Sequence, residues 1–386
     1  MDFSFTHEQE LIRASLREFC EKEVTRERVR EWDENLNFPP QELWDKMAEL
    51  GFFAFSVPPE YGGEGADMVT AMVAFEEISK ASTALALAVG ATVGFGARML
   101  ELGSEELKGN VFPQLAKGKV KFSLGLTEPA GGTDILGAIS TYAVKDGDDY
   151  VINGQKIYIT GAHVADYINT VVITDRENPK RSRALSTFMV PTSAPGLDIR
   201  LIPKVGVHAC GACEVFYDNV RVPAGNLLGT LNNGWYELLN TLNPERIGVA
   251  MISLGLAEAV FEDCLSYVKE RHAFGKPIGQ FQIIQHYLAD MAMGIELARN
   301  LIYKCAWLCD NGYPYHVEAT MAKLYAADVA LKAATTGMEI FAGYGYTMEC
   351  DMQRYWRDSQ QMVFSPISQE MSKNFLAQCY GLPKSF

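Results

Sequence analysis

The chain is short of positive charge. Across 386 residues, 34 lysines and arginines stand against 48 aspartates and glutamates, a net charge of -14. That balance argues against nucleic acid or an anionic membrane as a partner, since both are held through clustered Lys and Arg. A phosphate-bearing ligand stays open, because local dipoles and a few placed arginines suffice for one. Histidine is scarce too. His163, His208 and His316 are isolated, so no metal site is expected. No basic segment followed by an apolar run is visible near residue 1, so no signal peptide is expected and the expected location is the cytoplasm. The least polar window, 81–97, is shorter than the ~20 residues of a membrane span and carries several glycines; it reads as a buried helix. Internal repeats and low-complexity segments are absent.

Eight cysteines are present, without the pattern of a metal or disulfide framework. Cys210 and Cys213 have the spacing of metal ligands or a redox pair, but no second pair completes a site. Cys305 and Cys309 fall on one helical face. All are read as free thiols of a reducing compartment.

The length exceeds what one core supports, so two or three packed units are expected. Residues 1–118 read as helical: Thr6-His7-Glu8-Gln9 is a capping box, Pro39-Pro40 opens a second helix that Gly51 stops, and helices resume near Met68 and Glu105. From 119 to 225 the runs 150–160, 167–174, 185–190 and 213–222 are rich in β-branched and aromatic residues, the mark of a mostly antiparallel, barrel-like β domain. Residues 226–386 return to helix. Ile284, Leu288, Met291, Ile295, Ala298, Ile302, Cys305 and Cys309 form one continuous seam, as in an antiparallel four-helix bundle. The fold class is therefore α+β and multi-domain.

Between these regions runs Leu124-Gly-Leu-Thr-Glu-Pro-Ala-Gly-Gly-Thr-Asp134. Its glycines let backbone approach a ligand and aim N–H groups at an anion, and Thr127 and Thr133 add hydroxyls. A tight surface turn is the plainer reading of any Gly-rich loop. This string, however, resembles the flavin-binding signature of the acyl-CoA dehydrogenase family. Two further strings match that family in order: Arg271-His-Ala-Phe-Gly275 running into Phe281-Gln282, and residues 339–358 with Gly343-Tyr-Gly-Tyr346, Glu349, Arg354 and Asp358. Ala342 departs from the pattern, which expects glycine. Helix, β and helical bundle in succession is also the family's arrangement.

The resemblance implies a flavoprotein that binds FAD. Leu126 and Thr127 would meet the flavin pyrimidine edge, Gly132 and Thr133 would lie near the pyrophosphate, and Tyr158 and Thr160 would flank the ring. Arg271, Phe274, Gln282, Glu339, Gly343 and Ser368 match positions that hold FAD, several of them the FAD of a neighbouring subunit. A homotetramer, a dimer of dimers, is therefore implied. Glu339 stands where the family usually has glutamine, and a structural role fits it equally. Acyl-CoA as substrate and an electron-transfer flavoprotein as partner follow from the same resemblance.

The reaction needs a base for the α-proton of a thioester. Most of the family takes it from a glutamate after the second signature, where this chain has Phe364-Ser-Pro-Ile-Ser-Gln-Glu-Met371 and offers Pro366 or Ser365. Pro366 also lacks the N–H that the family uses on the thioester carbonyl. Asn243-Pro-Glu-Arg246 stands where a minority, including isovaleryl-CoA dehydrogenase, carries its base. Glu245 is the expected base, with an N-terminal helix cap as its plainer reading. Asn243, Arg246 and Thr133 are expected on the CoA thioester. The altered string is also similar to that of crotonobetainyl-CoA reductase, which favours a branched, cyclic or functionalised acyl group. Rival readings are that reductase, a dehydrogenase of carrier-protein-bound acyl groups, and a flavoprotein subunit without catalysis. The loop from His208 to Cys213 departs from the family pattern, pointing to a changed substrate environment or a lost subunit contact.

Overall fold

The computed structural model describes residues 4–384. Helix α1 (His7–Glu23) starts on the capping box: Gln9 N donates to Thr6 Oγ1 at 3.2 Å, and Thr6 N donates to Gln9 Oε1 at 3.0 Å. The helix that Pro39-Pro40 was expected to open as the second is the third, α3 (Gln41–Glu49), with Pro40 as its N-cap. Helix α2 (Arg26–Glu34) intervenes. Apart from Val29 and Trp32 it is charged throughout, so it shows no apolar period. Helices α4 (Met68–Ala81) and α5 (Thr83–Gly90) follow. A π-helical turn, Ala91–Gly96, leads into α6 (Ala97–Leu100), and α7 (Glu105–Ala116) ends the first helical region. The apolar stretch Thr83–Leu100 is long enough to cross a membrane, yet 67% of it is buried inside the fold, as expected of a core helix.

The middle region is one eight-stranded sheet in the order β6–β7–β3–β2–β4–β5–β8, with β1 on β4. Its strands are β1 (Phe122–Gly125), β2 (Tyr142–Asp146), β3 (Asp149–Thr160), β4 (Tyr167–Ile173), β5 (Leu185–Pro191), β6 (Leu197–Ile202), β7 (Ala212–Pro223) and β8 (Leu227–Leu228). Pairing is antiparallel except for β1 and β2 on β4. The short helix α8 (Ile135–Ala138) lies between β1 and β2.

The last region holds α9 (Gly234–Glu270), the hairpin of β9 (His272–Ala273) and β10 (Lys276–Pro277), α10 (Gln282–Asp310), α11 (His316–Gly345), α12 (Asp351–Phe364) and α13 (Gln369–Cys379). The α10 seam is core: Met291, Ile295, Ala298, Ile302 and Cys305 are buried.

The two helical regions share one apolar core, with α4 and α5 packed on α9 and α10. Leu85, Ala86 and Val89 of α5 belong to it. Phe95 in the π turn, with Met99 and Leu100 just beyond it, belongs instead to a second core with Val111, Phe112, Val171, Ile173 and Leu185, between α7 and the sheet. Buried charge ties the helices across the first core. Glu76 of α4 accepts from Arg299 Nε at 3.1 Å and Tyr303 Oη at 2.5 Å on α10, and Arg17 of α1 donates twice to Glu77.

Candidate active site

Strand β1 runs out at Gly125, and the loop after it is stitched to β3. Leu126 is buried, Thr127 half-buried, and Gly132 and Thr133 exposed. Ile157 N donates to Thr127 O at 2.9 Å. Just there β3 slips its register against β7, between Lys156 and Ile159. Such a bulge re-aims side chains. Tyr158 takes a left-handed φ of 60° and leaves its ring 65% exposed beside the loop. Ser123 Oγ holds the Thr160 carbonyl at 2.7 Å. Leu126, Thr127, Tyr158 and Thr160 thus meet where β1 and β3 join, with Gly132 and Thr133 extending the rim.

Arg271, Phe274, Gln282, Glu339 and Gly343 gather elsewhere, around the β9–β10 hairpin and the ends of α10 and α11. Among the described residues, no hydrogen bond or ion pair joins the two groups. A cavity of about 540 Å³ opens here, lined by Tyr267, Arg271, Ile278 and residues 340–344. Tyr267 and Phe341 stack at 4.0 Å as one wall, and Phe274 at the hairpin tip is 95% exposed. Ala342 sits at φ 51° and ψ -134°, a conformation suited to glycine. Ala342→Gly is expected to add about 1 kcal/mol of stability, read as a higher melting temperature.

Both groups suit a flavin dinucleotide: an open aromatic face beside a backbone loop in one, and an arginine and an aromatic wall lining one cavity in the other. Ser368 caps α13, accepting from Met371 N at 3.2 Å, and its hydroxyl bonds to the Glu370 carboxylate, which its own backbone N–H and this bond hold below its ordinary range.

Glu245 lies inside α9. The helix begins at Gly234, so Glu245 stands well inside it and the N-terminal helix-cap reading does not hold. Pro244 instead sits in mid-helix, where it removes the N–H that would bond to the Asn240 carbonyl. Among the described residues, the Glu245 carboxyl makes no hydrogen bond or ion pair. Burial pushes it up to about 7, against the pull of Arg246. Arg246 is buried, donates to Asn243 Oδ1 at 2.8 Å, and lies 5.4 Å from the centre of the Phe375 ring.

The turn that replaces the family's usual base, 365–368, carries no carboxylate. Lys323 of α11 holds it: its ammonium, fully buried, donates to Val363 O at 2.8 Å and Ile367 O at 2.7 Å. Burial pushes that ammonium down to about 8. Lys323 was missed in the sequence, as was Lys156 of β3. A signal existed in both cases: a lysine on the alanine-lined face of a long helix, with Ala319, Ala322, Ala326 and Ala327 around it, and a lysine on the inward phase of an alternating strand.

The His208 loop has a use that neither sequence alternative foresaw. It is clamped within the chain between the first and last helical regions. Asp33 of α2 accepts from Arg357 Nη2 of α12 at 2.5 Å, and His208 Nδ1 is 3.4 Å from Asp33 Oδ1. Val207 N donates to Asp358 Oδ1 at 2.5 Å, while His208 Nε2 lies 2.9 Å from Lys204 O. Cys210 and Cys213 are buried free thiols, and no metal-ligand cluster occurs among the described residues.

Known proteins show the same architecture. Family models of the acyl-CoA dehydrogenase N-terminal, middle and C-terminal domains match residues 6–119, 123–220 and 232–378. The chain belongs to the acyl-CoA dehydrogenase family, and is an oxidoreductase acting on acyl-CoA. It is 39% identical over 382 residues to the probable acyl-CoA dehydrogenase YngJ of Bacillus subtilis, covering 98% of this chain and 99% of that one. It is 35% identical over 356 residues to subunit CarC of the caffeyl-CoA reductase–Etf complex of Acetobacterium woodii, covering 92% and 93%. The structure of butyryl-CoA dehydrogenase from Megasphaera elsdenii superposes with a TM-score of 0.93 at 34% identity, covering 98% and 100%.

Proposed function

We propose that the protein is an FAD-dependent acyl-CoA dehydrogenase in which Glu245 is the base. The observation that carries this reading is the Glu245 carboxyl itself, half-buried, without a hydrogen-bond partner among the described residues and pushed up to about 7, in a family whose chemistry begins with proton abstraction. The usual position offers only Ser365 and Pro366.

Leu126, Thr127, Gly132, Thr133, Tyr158 and Thr160 would hold the flavin ring and pyrophosphate. Arg271, Phe274, Gln282, Glu339 and Gly343 would complete the dinucleotide site from a neighbouring copy, the separation of the two groups supporting a dimer of dimers, and Ser368 would also contact FAD. When bound, FAD supplies the acceptor of the β-hydride. Glu245 takes the α-proton on a carboxylate oxygen, while Asn243, Arg246 and Thr133 orient the CoA thioester. Electrons leave to an electron-transfer flavoprotein, a reading that the CarC relationship supports. The same relationship favours an enoyl-CoA reductase as the second reading, with a functionalised acyl group.

Anaerobic titration of the FAD-loaded protein with straight, branched, cyclic and aryl acyl-CoAs tests this directly. Bleaching of the flavin by one class supports the dehydrogenase and identifies its acyl group. Oxidised flavin that persists with every saturated thioester overturns it. Reoxidation of chemically reduced flavin by an enoyl-CoA would then establish the reductase.

A further inference from the structure

Lys156 is the charge that the proposed reaction does not use. It sits on β3 immediately before the bulge, with its side chain fully buried. Its ammonium donates to Leu126 O at 3.1 Å and to Glu128 Oε1 at 2.8 Å, both on the loop that follows β1. Glu128, itself buried, gathers the far end of that loop. It accepts from Ser140 N at 2.7 Å, Ser140 Oγ at 2.6 Å and Thr141 N at 3.0 Å. One ion pair thus fastens both ends of the segment from 126 to 141.

Apolar side chains of similar volume commonly stabilise a core as well as a buried ion pair does, so the value of this pair lies in its geometry. The peptide unit is planar and trans, so its C=O and N–H point in opposite directions. With the Leu126 carbonyl tied inward to Lys156, the Thr127 N–H faces outward. The Thr127 carbonyl is tied in turn to Ile157 N, while the Glu128 N–H turns back toward Gly131 in the bridge those two residues form. The Thr127 N–H has no hydrogen-bond partner among the described residues and stands as a donor at the rim beside the Tyr158 ring.

We propose that Lys156 is a positioning residue for flavin: by fixing the Leu126 carbonyl and the Glu128 carboxylate, it aims the Thr127 N–H group at the acceptor edge of the isoalloxazine ring. The proposal rests on the flavin reading above. It predicts that Lys156→Met protein, stripped of cofactor and titrated with FAD, binds at least about tenfold more weakly than wild type, the scale of one lost charge-assisted contact. The visible bands of bound FAD shift as well, because the donor at the ring edge is no longer aimed. A purely structural lysine would lower the melting temperature and leave both FAD affinity and bands unchanged, which overturns the proposal. Should Lys156→Met not fold, Lys156→Gln, with a shorter stem but two N–H donors, is read in the same way: weakened FAD binding supports the proposal and wild-type binding overturns it. Wild-type protein without FAD affinity would overturn the flavin reading as well as the proposal.

Discussion

Glu245→Gln is expected to bind FAD as tightly as wild type and to lose acyl-CoA turnover by roughly 10²–10⁴-fold, the usual worth of a positioned base. In the wild type the rate rises with pH through about 7, where the carboxyl ionises; the residual rate of the variant loses that rise. The sign for stability is opposite. The folded carboxyl sits above its ordinary 4.5, so between there and about 7 the folded chain keeps a proton that the unfolded chain has released. Raising pH through that window therefore weakens the wild-type fold. Glu245→Gln escapes this penalty and is expected to melt at a higher temperature than wild type at pH 8, with the gap closing near pH 4.5. Stopped-flow reduction and calorimetry at the two pH values check both halves. A variant with full turnover removes Glu245 from the base role.

Asp33→Ala is expected to cost about 3 kcal/mol, the scale for breaking a buried pair from one side. Arg357, held by Asp33 at 2.5 Å, would stay largely enclosed without that carboxylate, and His208 would lose its neighbour at 3.4 Å. Because the clamp spans α2, the loop before β7 and α12, the loss concerns the docking of three regions. Limited proteolysis within 204–211 is expected to accelerate along with the drop in melting temperature. Burial shields the pair from counterions, so the wild-type melting point should change little with salt in the range where surface pairs are screened. An Asp33→Ala protein that melts and resists protease like wild type would show that the clamp carries no stability.

The architecture was legible because its long elements obey simple periods. The α10 seam, the Thr6 capping box and the β-branched runs of β3, β4, β5 and β7 each announce themselves locally. Helix α2 escaped because its side chains are nearly all charged, and its helicity is settled by Val29 and Trp32 packing against the rest. The start of α9 escaped because Pro244 suits a first turn better than a helix interior. The site was legible as strings and hidden as chemistry. Glu245 could be singled out by the lack of a carboxylate at 365–368, but its protonation depends on how much of it α9 takes out of water. Lys156 and Glu128 lie 28 positions apart, and only the packing of the loop after β1 against β3 brings them together.

The π turn at Ala91–Gly96 has a rotational consequence. An unbroken α-helix carries its apolar stripe along one side and can serve one hydrophobic interior. A π turn holds one residue more, which sets everything after it back by about 100°. Leu85 and Val89 can then face the helical bundle while Met99 and Leu100, on the same axis, face the sheet. The segment acts as a phase shifter that gears two interiors to one rod. Its residue count matters more than its composition: taking one residue out of 91–96 would bring the two stripes into line and swing Met99 and Leu100 off the sheet, even with every remaining side chain unchanged.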